Sequence, residues 1–223
     1  MTRRGRGGLS GKGRLDMMRI QRETNGRRQA MPRSQTGPFL NRLIEAKAQL
    51  VTAVLSGKSS YVQGEDAPLR YRLLTDTALR LAELNQTAAY FDLSDLGYQY
   101  DQAKWMHNCT RLLAIQLNVP LPSTDWWATY GAEDPAAGFV QYLGQKVLPQ
   151  LNQSILLSFD EADQLLKAPL AADFWRLLTQ IEAARLQQPA FENLTVVMWG
   201  KSSWEKLAGD GRFPAEALKP IIL

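Results

Sequence analysis

Residues 154–163, SILLSFDEAD, constrain the fold more than any other stretch of this chain. Ile155, Leu156, Leu157 and Phe159, interrupted only by Ser158, run straight into Asp160 and Glu161. A short strand that is apolar on both faces belongs in a parallel sheet covered by helices on both sides. In such sheets the functional groups gather at the carboxyl ends of the strands. An Asp placed there can hold Mg²⁺ through its water shell, because Mg²⁺ dehydrates reluctantly. A neighbouring Glu can orient and deprotonate an attacking water. Asp163, one turn on, can support that shell. A plainer reading stands beside this one, in which the acids merely favour the positive end of a following helix.

The rest of the chain repeats the alternation of strand and helix. Thr87–Leu93 and Leu194–Trp199 read as buried strands. Helical spacing covers Phe39–Leu50, Leu69–Leu84, Asp101–Leu117, Pro135–Leu148 and Ala171–Gln187, with Pro68 suited to a first turn and Asp101 to an N-cap. Strands separated by helices of this length predict an α/β fold with a parallel sheet and helices on both faces. The strand at 194–199 ends in Gly200-Lys201-Ser202-Ser203, where Ser202 or Ser203 can act as a polar sensor of a bound phosphate. Ser203 can equally cap the helix that opens at Trp204.

The net charge of +4 conceals an uneven distribution. Residues 1–34 hold ten Lys/Arg and two Asp/Glu, a net of +8, which leaves −4 for the remainder. That segment is Gly-rich and poor in apolar residues, so a disordered basic tail is expected there, followed by one domain over 35–223. The single Cys109 and single His107 exclude an intrachain disulfide and a Cys/His zinc site. No apolar run approaches the ~20 residues needed to cross a bilayer, and a cytoplasmic location is expected. Cys109 and the Trp105-Met106 pair read as core; His107 reads as a solvent-facing or hydrogen-bonded residue before a catalytic one, and the Trp126-Trp127 pair as packing before stacking platforms.

From about Ser60 onward the chain resembles the AAA-like ATPase domain family, P-loop NTPases of AAA or STAND type common in cyanobacterial and other bacterial signalling proteins. The matching residues are LRYRLL (69–74), AYFDLSDLG (89–97), STDWW (123–127), FDEADQLL (159–166), ADFWRLLTQIEAAR (172–185) and QQPAFENLTVVMWG (187–200). The resemblance implies an ATP-binding and hydrolysing signalling or assembly switch, with protein partners or fused sensor and repeat domains. It implies Mg²⁺ at Asp160 and Ser59, Glu161 as the catalytic residue, and Gly57, Lys58, Ser59 and Ser60 on the phosphates. Family members continue into a helical lid, so a chain that ends at Leu223 is expected to lack it.

The phosphate loop is where the pattern departs. A working loop reads GxxxxGK[ST] after a strand and opens a helix. Gly57-Lys58-Ser59 supplies the core of that motif, but Gly64 and Pro68 interrupt any helix starting at Lys58. In relatives, a strand ending in Tyr-Val leads into the loop, and a Leu-Arg-x-Arg helix follows it. Tyr61-Val62 and Leu69-Arg70-Tyr71-Arg72 match those landmarks. Only Gln63–Pro68 lies between them, without a Lys and with Glu65 and Asp66 where phosphate would approach. On that alignment GKSS precedes the strand. Two main readings stay open: an ATPase with a displaced loop, and a pseudo-ATPase that binds proteins without nucleotide. Nucleic-acid binding through the tail is a third, weaker reading, and nucleic acid is not the expected partner of the domain.

Overall fold

The computed structural model describes residues 36–96, 101–151, 153–166, 170–208 and 218–223. The expected basic tail at 1–34 lies outside them. The chain divides between Leu40 and Asn41, and the account below concerns residues from Asn41 onward together with the helix that leads into them.

Five strands form one sheet: β1 Ser60–Gln63, β2 Thr87–Asp92, β3 Ile155–Asp160, β4 Leu194–Gly200 and β5 Lys219–Ile222. Their spatial order is β2-β3-β4-β1-β5, and every pairing is parallel. The three strands expected from the apolar runs are present and parallel. The short β1 and β5 complete the sheet.

Among the described residues, the helices that matter here are α1 Thr36–Leu55, α2 Ala67–Glu83, α3 Gln102–Leu117, α4 Thr124–Tyr130, α5 Pro135–Tyr142, α6 Leu170–Gln187 and α7 Trp204–Ala208. They divide by sheet face because strand side chains alternate. Ile155, Leu157 and Phe159 of β3, with Leu194, Val196 and Met198 of β4, pack among Trp105, Cys109, Leu113, Phe139, Phe174 and Ile181 of α3, α5 and α6. Leu156, Val197, Trp199, Val62 and Ile221 point the other way, onto Leu43, Leu50 and Val54 of α1 and Leu73 and Leu81 of α2. Even Ser158 is accounted for on that second face: it accepts a hydrogen bond from Trp199 Nε1 at 2.7 Å.

Local chemistry sets the helix boundaries. Asp66, Asp101, Ser123 and Asp134 each cap a helix through a side-chain oxygen. The helix read as continuous over Pro135–Leu148 instead widens into a π turn at Leu143–Val147. Pro149 explains this, since it lacks the N–H that would bond Gln145 and its ring crowds that carbonyl. The outer edge of β2 is covered by a side chain: Gln116 accepts from Tyr90 N–H and donates to Tyr90 C=O, both at 2.7 Å. Its amide thus plays the part of a neighbouring strand.

Candidate functional site

The register brings Asp92, Asp160, Gly200 and Gln63 to the carboxyl edge of the sheet. Three features build the site there: the end of β3, the connection from β1 into α2, and the start of α2.

Asp160 and Glu161 stand at this edge, as the sequence suggested. The chain turns sharply at Glu161, whose φ of 55° lies in the left-handed region. Non-glycine residues rarely adopt it, and it is a common form of strain at functional sites. The turn is held by Glu161 N–H donating to Asp160 Oδ1 at 2.8 Å and by Gln164 N–H donating to Glu161 C=O at 2.9 Å. Asp160 Oδ2 also accepts from the Tyr90 hydroxyl at 3.1 Å. Burial, then the carboxylates of Asp160 and Asp92, push the Tyr90 phenol up, so it keeps its proton and remains a donor.

Arg70 dominates the site. It lies on the inward face of α2 with Leu73, Thr77 and Leu81, and its side chain is 3% exposed. Its guanidinium donates to Glu161 Oε1 at 2.8 Å and to the Gly64 carbonyl at 2.7 Å. Arg70 Nε sits 3.8 Å from Asp160 Oδ1 and has no hydrogen-bond partner of its own. One buried cation therefore joins Asp160 and Glu161 to the β1–α2 connection.

That connection is three residues long, Gly64-Glu65-Asp66. Gly64 N–H donates to Gly200 C=O at 2.9 Å, and a Cβ on Gly64 would come within 3.0 Å of the Leu223 side chain. The Asp66 carboxylate accepts from Leu69 N–H at 3.0 Å, and Pro68 contributes no N–H. A helix N-terminus is a ready anion site because its first N–H groups are unpaired. Here the chain's own carboxylate fills that position.

Gly57-Lys58-Ser59-Ser60 lies at the opposite, amino edge. Gly57, with φ 67°, ends α1, and Lys58 N–H bonds back to Ala53 C=O at 2.9 Å. A Cβ at Gly57 would come within 2.7 Å of the Glu192 carbonyl, just before β4. The buried Ser59 hydroxyl accepts from Val196 N–H at 3.3 Å and donates to Glu182 at 3.5 Å. Ser60 opens β1 level with Ser158, and its hydroxyl donates to Lys58 C=O at 3.4 Å. Lys58 is thus about four strand residues short of the level of Asp160, roughly 13 Å along the sheet. The structure does not bring GKSS to Asp160 and Glu161. All five strands run parallel, with β1 inserted between β4 and β5, and acids end β3.

The fold is P-loop NTPase-like. A solved structure of the Aeropyrum pernix ORC2 protein, determined as ADPNP–ADP complexes, is similar to this chain with a TM-score of 0.54 and 12% identity. The match covers 88% of this chain and 50% of that one, so this chain spans about half the length of its neighbour. At that identity the likeness speaks for the fold alone. No family model and no curated protein matches the sequence.

The end of β4 also makes structural contacts. Asp163 accepts from Lys201 N–H at 2.8 Å and Ser202 N–H at 2.9 Å, while the Tyr61 hydroxyl donates to Ser202 C=O at 2.7 Å. Burial alone would raise the Asp163 carboxyl, but the hydrogen bonds from Ser202 and Lys201 outweigh it and hold it below the ordinary range. Ser203 accepts from Lys206 N–H at 3.4 Å, as a cap does. Arg70 is the site residue that sequence reasoning missed. A lone Arg at helical spacing from Leu73, Thr77 and Leu81 was the available signal.

Proposed function

We propose that this chain uses a P-loop NTPase-like fold as a nucleotide-independent protein-interaction module, a pseudo-ATPase. The observation that carries the reading is Arg70: its buried guanidinium pairs with Glu161 and Asp160 and reaches Gly64. A cation of the protein thus stands where Mg²⁺ and nucleotide charge would be needed. As arranged, these residues do not fit Mg·ATP. The acids are already neutralised and hydrogen-bonded, the helix N-terminus is occupied by Asp66, and the connection is too short to wrap a triphosphate. Lys58 and Ser59 lie at the other edge of the sheet. Among the described residues no three His, Cys, Asp or Glu side chains group as metal ligands. Protein partners or fused sensor and repeat domains belong to this proposal, with the folded domain contributing surface rather than catalysis.

Titration calorimetry of the full chain with Mg·ATP tests it. The expected result is no saturable heat below about 1 mM, since micromolar affinity needs ~8 kcal/mol and an exposed lysine contributes ~1 kcal/mol at most. A low-micromolar dissociation constant that disappears in Lys58→Ala would restore GKSS as the phosphate loop and defeat the proposal.

A further inference from the structure

A cleft of about 310 Å³ opens between α3 and α4, on the sheet face opposite α1 and α2. His107 and Arg111 of α3 form one wall; Leu121, Pro122 and Trp127 form the other. The volume falls at the small end of ligand sites, which combine apolar walls with a few polar groups. Among the described residues no carboxylate lines it.

Trp127 is built into position. A Cβ at Gly131 would lie 2.8 Å from the indole, so glycine is what allows the ring to lie against the backbone there. The His107 ring meets the Trp127 ring edge-on at 5.2 Å. The indole is half-buried and packs against the core from its rim. Arg111 is exposed and makes no salt bridge among the described residues, whereas Lys104 of the same helix pairs with its N-cap, Asp101, at 3.4 Å. A concave, aromatic-walled site with a free guanidinium and no acid selects an anion attached to an apolar body. Arg111 is followed one turn later by Ile115, which is 62% exposed, and Leu121 is 53% exposed. The apolar surface therefore continues outward from the cleft, which suits a chain longer than a single small acid.

We propose that this cleft binds a peptide segment of a partner protein in which an acidic side chain is flanked by large apolar residues. Arg111 takes the carboxylate; Trp127 and Pro122 take the apolar neighbour. The proposal names the partner chemistry for the interaction reading above. Its test involves no nucleotide, so failure of one can be told from failure of the other.

The experiment titrates the full chain with a blocked hexapeptide, acetyl-Ala-Phe-Glu-Leu-Phe-Ala-amide, and with its Glu→Gln counterpart. The signal is the Trp127 indole N–H resonance, assigned with Trp127→Phe. The acidic peptide should shift and saturate that resonance and bind about three- to fivefold more tightly than the Gln peptide, as expected for one partly exposed ion pair. Arg111→Gln should equalise the two peptides, and Arg111→Lys should retain part of the preference. Equal binding of both peptides by the unaltered protein overturns the proposal, as does an indole resonance that neither peptide moves. Binding of N-acetylphenylalanine without binding of the blocked peptide also overturns it, assigning the cleft to a small free acid.

Discussion

Replacing Arg70 with Met keeps the bulk of the side chain and removes its charge. The guanidinium–Glu161 bond at 2.8 Å joins a buried donor to a carboxylate that is 34% exposed. Discounting a charge-assisted bond for that exposure leaves about 1.5 kcal/mol. The Gly64 carbonyl, now facing a thioether, forfeits a further ~1–2 kcal/mol. Relief of the unpartnered Arg70 Nε offsets a little of this. The net loss is ~3 kcal/mol, which lowers a urea midpoint by ~1.5 M at a slope near 2 kcal/mol/M. Chemical denaturation of Arg70→Met, Glu161→Gln and the double variant measures it. The cycle should return a coupling of ~1–2 kcal/mol between the two positions. Adding millimolar Mg²⁺ should raise the Arg70→Met midpoint more than that of the unaltered protein, because the acids then lack their internal cation. A single-variant loss under ~0.5 kcal/mol together with zero coupling would show that Arg70 does not hold this edge together, and the reasoning fails.

Gly57→Ala should destabilise by at least ~1–2 kcal/mol, from its left-handed φ and the Glu192 carbonyl 2.7 Å from the new Cβ, whereas Lys58→Ala should leave the melting temperature unchanged. Thermal melts of the two variants side by side check this. Gln116→Leu removes both bonds to Tyr90 and should cost ~1–2 kcal/mol and increase concentration-dependent association, read by light scattering. The Asp163 carboxyl is held low when folded, so its contribution is full above the ordinary Asp range near 4 and is lost as pH falls through its depressed value. Asp163→Asn should therefore flatten the acid limb of a stability–pH profile below about pH 4.

The sheet was legible because β2, β3 and β4 are largely apolar runs, and Asp160 and Glu161 were legible because they end one. β5 was not, since Lys219-Pro220-Ile221-Ile222 is short and its pattern reveals a strand only when β1 lies beside it. GKSS is a case where composition and context disagree. Its residues match a phosphate loop, but Gly57 supplies a helix end and Ser59 a buried bridge to Val196 and Glu182. The mutual placement of Lys58 and Asp160 is a matter of strand register, which no local motif encodes. Arg70 was read only as part of a landmark, because the pairing of Arg70 with Glu161 is fixed by the packing of α2 on the sheet and not by spacing along the chain.

The length of the Gly64-Glu65-Asp66 connection bears on what sequence change could turn this fold toward nucleotide. Point changes can remove Arg70, neutralise Asp66 or add a lysine, yet each leaves the same three-residue bridge tied to Gly200 and packed on Leu223. A bridge of that length reaches at most ~10 Å when fully extended and has no slack to form a loop. Building a phosphate cradle here therefore requires inserted residues, and a library of substitutions, however large, should never produce one. The route to a nucleotide-dependent descendant passes through a change in chain length at a single place.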